Sequence, residues 1–309
     1  MQKAGEVARN RKRRKDMVKV GDVCPLLFST LKDRFAQDID WIQRYHSTDH
    51  IVIQLLALPS DEVSATVNDL LRGSTQAVDF TVWELNENVH VHQAVLTGME
   101  DGVYTLTVEG VGTSEPWQIC STEQLKEETM LVRYSHKDNN SVFDNAFWVN
   151  DEQVWFEFRV EAGFKASGYT PKVDNEQYRN QRQEIVELYA MPYDSYTLTI
   201  GNACGVPYWV LRHINRVLCL SDVEMDGKGY VRSENGVPEK TQVSEDSQLF
   251  QATITLEPRE NSIAGIGGKP EAPSGSAYVG FAIENPVDGQ MLQYSGMKQA
   301  FENVTTVGV

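Results

Sequence analysis

The stretch EIVELYAMPYDSYTLTIGNACGVPYWVLRHINRVL, residues 184–218, decides how this chain of 309 residues is read. Its first half is rich in β-formers and alternates on either side of Pro192, which predicts two strands or one bent strand ending at Ile200. Gly201 and Gly205 then interrupt the alternation. Pro207 follows at a place where its missing N–H costs nothing, the start of a helix. Val210, Ile214, Val217 and Leu218 recur at helical spacing, with Arg212, Asn215 and Arg216 on the other side. An amphipathic helix over about 207–219 is therefore expected.

Outward from this helix the text returns to period two. Val223 and Met225 alternate against Asp222 and Glu224, and Asp226-Gly227 is a strong hairpin signal. Residues 249–256 read as a further strand closed by Pro258. The unit is expected to run β–β–α–β–β–β, a sheet with one helix packed across it. Before it, 130–134, 142–149 and 154–160 have strand character. Residues 172–183 are polar and crowded with Asn, Gln and Arg, which predicts an exposed loop that can act as an interaction arm.

Further out, residues 51–57 read as a buried strand, and 38–45 is ambiguous between helix and strand. Residues 59–120 read as a small β-sandwich, with short alternating strands at 63–67, 78–85, 89–96, 103–108 and 116–119 and glycines between them. The expected fold is mainly β. A split β-barrel or sandwich unit from 18–58 and 121–258 carries the helix, a small sandwich is inserted at 59–120, and 259–309 forms a Gly/Pro-rich linker and C-terminal extension. Residues 277–283 and 290–294 are read as a final strand pair.

The formal charge is -16, and it is unevenly spread. Residues 1–17 hold seven bases and two acids; removing them from totals of 28 and 44 leaves 21 bases against 42 acids, or -21. A body that acidic repels nucleic acid. The basic start reads as a disordered arm or as an extension ahead of a natural start at Met17, before a nucleic-acid arm, a localisation signal or a tail docking on an acidic partner. No apolar run has the length of a signal peptide or a membrane span. Cys24, Cys120, Cys204 and Cys219 are widely spaced without C-x-x-C, and are expected as buried thiols of a chain made in a reducing cytoplasm.

Patterns that carry chemistry are sparse. His90 and His92 share a strand face and could begin a metal site, yet no third ligand lies near them in sequence. His46 and His50 have i, i+4 spacing, but Ser47-Thr48-Asp49 between them reads as a turn. Residues 222–233 begin like a calcium loop and place Ser233 where the bidentate acid belongs. Gly201 to Gly205 lacks the ending of a phosphate loop, and Cys204 has no evident base. No catalytic, cofactor or metal residues are assigned, and a non-enzyme is expected. The aromatics Trp148, Trp155, Phe156 and Phe158 are read as core more readily than as a sugar platform.

At Ser114-Glu-Pro-Trp117, Val142-Phe-Asp-Asn145, residues 158–164 and residues 201–209 the chain resembles structural tail proteins of tailed bacteriophages and prophages of gut bacteria, of the distal-tail, baseplate-hub type. The resemblance covers most of the chain after Met17. It implies a ring-forming β fold assembling sixfold at the tail end, with other tail and baseplate proteins as partners and a virion location after synthesis in the bacterial cytoplasm. It also makes attached sandwich modules candidates for binding host glycans. Two departures stand out: no belt motif can be placed at the N-terminus, and the sandwich lies inside the chain.

The expectation is then a self-assembling, non-enzymatic tail-tip component. Lys172, Tyr178, Arg179 and Arg182 are its candidate interface arm. The alternative is a carbohydrate-binding β-sandwich protein of a bacterial surface system, with Trp83 and Trp117 as candidate glycan contacts.

Overall fold

The computed structural model describes residues 18–28, 41–139, 143–202, 204–234, 236–244 and 247–260, together with the backbone of 290–295 and 300–305. The protein is mainly β. The expectations placed on residues 1–17, 38–40, 261–289 and 306–309 lie outside the described residues.

Two sheets share one apolar core in the N-terminal half. One runs in the order Lys19–Val20, Ile51–Ala57, Val89–Leu96, Thr81–Asn86. The other runs Gln43–His46, Trp117–Cys120, Gly102–Val108, Ala65–Asp69, Ser74–Ala77, with Gly112–Thr113 beside Gly102–Val108. Ile51, Ile53 and Leu55 from the first sheet meet Tyr45, Val67, Leu106, Trp117 and Ile119 from the second. The sandwich thus includes Gln43–His46 and Ile51–Ala57, which the sequence reading placed in the other unit. The sheets divide nowhere near Pro59. The reason is pairing: Ile51–Ala57 runs antiparallel to Val89–Leu96, and Gln43–His46 runs parallel to Trp117–Cys120. Neither partnership is visible in local alternation.

The second unit is a larger sheet ordered Phe156–Val160, Met130–Ser135, Asp222–Met225, Lys228–Arg232, Leu249–Pro258, Ile185–Ile200, Ala162–Arg179. Val206–Pro207 and Glu239–Gln242 also pair with Leu249–Pro258. A helix, Tyr208–Val217, lies against it with Val210, Leu211, His213, Ile214 and Val217 buried. Arg212 and Asn215 face solvent, as the 3.6-residue period requires. Asp226 and Gly227 take φ of 47° and 78° between Asp222–Met225 and Lys228–Arg232, the double left-handed turn that an Asp-Gly hairpin needs. A one-and-a-half-turn helix, Glu123–Glu128, links the two units and escaped the sequence reading because it is too short to show a period. Residues 143–147 and 154–155 are irregular, and Trp148–Val149 pairs with Glu152–Gln153 instead of continuing one strand.

The two units are joined through buried polar contacts. Asp49 receives two hydrogen bonds from the Arg159 guanidinium, both 2.7 Å, and accepts a third from the His46 backbone N–H. Only 3% of the Asp49 side chain and 5% of the Arg159 side chain is exposed. Gln54, fully buried, accepts from Ala146 N–H at 2.9 Å and donates to Ala146 C=O at 2.8 Å. Glu157 accepts from the His50 backbone N–H at 2.6 Å.

Separately, Gln290–Ser295 pairs with Ala300–Thr305 as an antiparallel hairpin. Its first strand coincides with the expected one; its partner is 300–305, while 277–283 lies outside the described residues.

Two outcomes follow for denaturation experiments. Asp49→Ala strands a buried guanidinium and should cost about 3–5 kcal/mol in urea unfolding, while Asp49→Leu with Arg159→Met recovers most of that loss. His213 sits fully buried beside Phe158, its ring 4.5 Å away, and burial drives its pKa from 6.5 down to about 3. The unfolded chain therefore binds a proton that the native state refuses between those two values. Stability should be complete above the unfolded pKa and fall as pH drops, by about 1.4 kcal/mol per unit, until about pH 3. His213→Phe should remove that slope relative to the parent.

Candidate functional site

Two features stand out from the packed body: a projecting arm and a cleft. The arm is a β-hairpin made from Ala162–Arg179 and Ile185–Ile200, strands of 18 and 16 residues. Only residues 196–200 of the second strand pair onward to Leu249–Pro258, so from Val173 outward the two strands hold each other alone. At a strand rise of 3.3 Å this leaves roughly 20 Å of free hairpin. The expected loop at 172–183 is corrected to paired strand with a turn at the tip. Both faces are wet, so neither needs alternation, and the period that reveals half-buried strands is missing.

The tip is self-satisfied. Asn180 Oδ1 accepts from the backbone N–H groups of Arg182 and Glu184, and Gln183 takes a φ of 64°. The four predicted interface residues separate into two groups. Lys172 belongs to the root: it donates to Ser233 Oγ at 3.2 Å and lies 5.7 Å over the Tyr193 ring. Tyr178, Arg179 and Arg182 are exposed near the tip. What the sequence reading missed is the arm's apolar load. Tyr189 and Met191 are exposed on one face, Tyr169 and Val173 on the other, and Tyr178, Ile185 and Leu188 add to the outer end. Opposite charges are interleaved with them, from Asp174 and Glu176 to Arg179, Arg182, Glu184 and Glu187.

The cleft, about 480 Å³, lies between the outer face of the first sandwich sheet and the segment 149–155. Val52, Trp83, Gln93 and Val95 come from the sheet; Asn150, Glu152, Gln153 and Trp155 come from the segment, and His50 lies at their junction. Asn150 and Asp151 have φ of 50° and 63°, the mirror-image turn that suits a two-residue hairpin. Asn139 anchors this hairpin, its Oδ1 accepting from Phe147 and Trp148 N–H at 2.7 and 2.8 Å. Behind the cleft, Arg133 lies 5.1 Å over the Trp155 ring and reaches Glu157 and Glu224.

The two tryptophans proposed as glycan contacts have opposite fates. Trp83 is half-buried and lines the cleft, its indole N–H without a protein partner among the described residues. Trp117 is fully buried, stacked on Tyr104 at 6.1 Å in the sandwich core, and is withdrawn as a surface contact. Its inward direction follows from the register, which aligns it with Tyr104 on the core face. Trp155 was read as core, yet it lines the cleft.

The histidines are brought to unrelated places. His92 is buried in the sandwich with its ring edge-on to Phe80; burial first, and then the nearby His90, lowers its pKa. His46 Nδ1 meets Thr48 Oγ1 at 2.8 Å inside the expected turn. Among the described residues, no three or more His, Cys, Asp or Glu are grouped to hold a metal. The expectation of four buried thiols is corrected: Cys24 is buried, with its pKa pushed up to about 12 by burial, whereas Cys204 and Cys219 are exposed. Among the described residues no helix is long and apolar enough to cross a membrane.

No family model matches the chain, and no curated protein matches it. Among solved structures, a chain of the ZIG-8–RIG-5 IG1–IG1 heterodimer is 13% identical, covering 30% of this chain and 90% of its own, with a TM-score of 0.17. A pullulanase complexed with maltotriose, from Anoxybacillus sp. LM18-11, is 9% identical, covering 52% of this chain and 24% of its own, with a TM-score of 0.18. Scores that low carry no argument about fold or function.

The burial difference between the two tryptophans is measurable. Trp117→Ala should cost about 3–5 kcal/mol in chemical denaturation, and Trp83→Ala clearly less. Equal losses would contradict the assignment of Trp117 to the core.

Proposed function

We propose that this protein is a non-enzymatic structural component that assembles with copies of itself through the hairpin arm. The observation that carries the reading is the arm's combination of free length, apolar side chains on both faces and an open outer edge at Ala162–Arg179. An isolated two-stranded ribbon is marginal in water. A ribbon that keeps Tyr178, Ile185, Leu188 and Met191 in solvent gains stability by docking on a partner. The open edge offers unpaired backbone groups that a second strand can complete.

A second copy of this chain is the partner that fits. Acids and bases interleave along the arm, so an identical arm or edge presents complementary charge, whereas a strongly basic partner would be drawn to the acidic body instead. Repeated around an axis, one arm per copy gripping the next closes a ring. The resemblance to distal-tail proteins supports placing that ring, a hexamer by that analogy, in a phage tail tip or baseplate beside other tail proteins. Ile53, Leu55, Leu198 and Ile200 spend their apolar side chains on core layers, in keeping with a building role.

Mass photometry and electron microscopy of the full chain at micromolar concentration should show closed oligomers. Tyr178→Asp with Met191→Asp, both at exposed positions on the arm, should weaken assembly roughly tenfold or more while leaving the unfolding midpoint of the dilute, dissociated chain near that of the dissociated parent. A strictly monomeric parent chain at those concentrations would end this reading.

A further inference from the structure

We infer that the cleft between Trp83 and Trp155 receives the arm tip of a second copy of this chain, with Glu152 of the cleft set against Arg182 of that tip. This rests on the reading of the arm as the assembling element and names the surface it grips. Within one chain the two do not meet. No arm residue lines the cleft, and residues 173–179 and 181–185 are exposed. Both surfaces are therefore open to another molecule.

Their charges match. No lysine or arginine lines the cleft, and its one carboxylate is Glu152, with Asp151 exposed next to it. His50, at the junction, lies 3.5 Å from Glu157, and Arg133 behind Trp155 is engaged by Glu157 and Glu224. The Glu152 carboxylate has no hydrogen bond or ion pair among the described residues. The Arg182 guanidinium is in the same condition at the turn of the tip. Residues 178–183 hold two arginines and no acid, on a chain whose formal charge is -16. A cationic tip on so acidic a protein is drawn to other copies of it.

Apolar matching selects the cleft from the rest of that acidic surface. An exposed ion pair alone holds little, so burial of side chains has to supply the remainder. Tyr178, Ile185 and Leu188 are more than half exposed at the outer end of the arm. In the cleft Val95 is exposed, with Trp83 and Val149 half-buried. Indole rings also attract guanidinium groups, as Arg133 over Trp155 already shows at 5.1 Å. Both surfaces are set in advance. The Asn150–Asp151 turn and its Asn139 anchor hold the wall that carries Glu152, and Asn180 holds the tip turn, so docking orders little.

Arm and cleft are different patches, so each copy gives one tip and takes one. Such a head-to-tail contact closes into a ring where the rotation permits, whereas two arms pairing with each other would stop at a dimer.

Assembly of the full chain should be followed by mass photometry over a concentration series. Arg182→Glu and Glu152→Arg, both at exposed positions, should each weaken it roughly tenfold or more by setting like charges together, at an unchanged unfolding midpoint of the dissociated chain. The two changes in one chain should restore assembly to within roughly threefold of the parent. An equal mixture of the two single variants should recover it as well, because each tip then meets a cleft of opposite charge. The inference is overturned if the parent assembles and Glu152→Arg leaves assembly unchanged, or if the double change restores nothing; the arm would then keep its role and lose this seat. A strictly monomeric parent would end both readings.

Discussion

The strand Ile51–Ala57 has to be buried on both faces, and the described body is arranged to meet that requirement. Ile51, Ile53 and Leu55 fill the sandwich core, whereas Val52 belongs to the core of the larger sheet. Gln54 on the second face would be a liability without partners, because a buried amide with no hydrogen bonds costs several kcal/mol. It is paired on every side: Ala146 through N–H and C=O, Gln93 through its side chain, and Gly21 N–H through its own carbonyl. Gly21 must be glycine for this approach, since a Cβ there would lie 2.4 Å from the Asn145 side chain. The Asp49–Arg159 pair sits at the end of the same wall and closes it with a charge-assisted fork. The units on either side are therefore one mechanical body, and the cleft at their seam has fixed walls.

That rigidity gives the arm its meaning. A hairpin anchored in a nine-stranded sheet, with Ser195 buried at its root and Lys172 tied to Ser233, leaves the body in a set direction. Flexible tails reach partners by search and lose entropy on docking; a stiff ribbon has less to lose. The cleft and the arm are separate features of that body, since their lining and exposed residues do not overlap.

Some of this was written plainly in the chain. The helix at Tyr208–Val217 showed itself through its period, and the Asp226-Gly227 hairpin through its turn chemistry, because both signals are local and one face of each element is buried. Even His213 was legible there, three residues after Val210 on the buried stripe, although its polarity hid it. The mainly β class followed from short alternating runs. By contrast, residues 172–183 have the polar composition of a loop although most of them are strand, because a ribbon segment exposed on both sides needs no apolar period.

The amino-acid order by itself determined the class, the helix Tyr208–Val217, the turns and most strand positions, since propensity and periodicity act over a few residues. Only the tertiary structure decided which strands belong together, moving Gln43–His46 and Ile51–Ala57 into the sandwich, because sheet partners are chosen by contacts many residues apart. It also decided that Trp117 is core while Trp83 and Trp155 face one cleft. Indoles look alike in a sequence. Burial depends on what the rest of the chain brings against each face, and that is a property of packing alone.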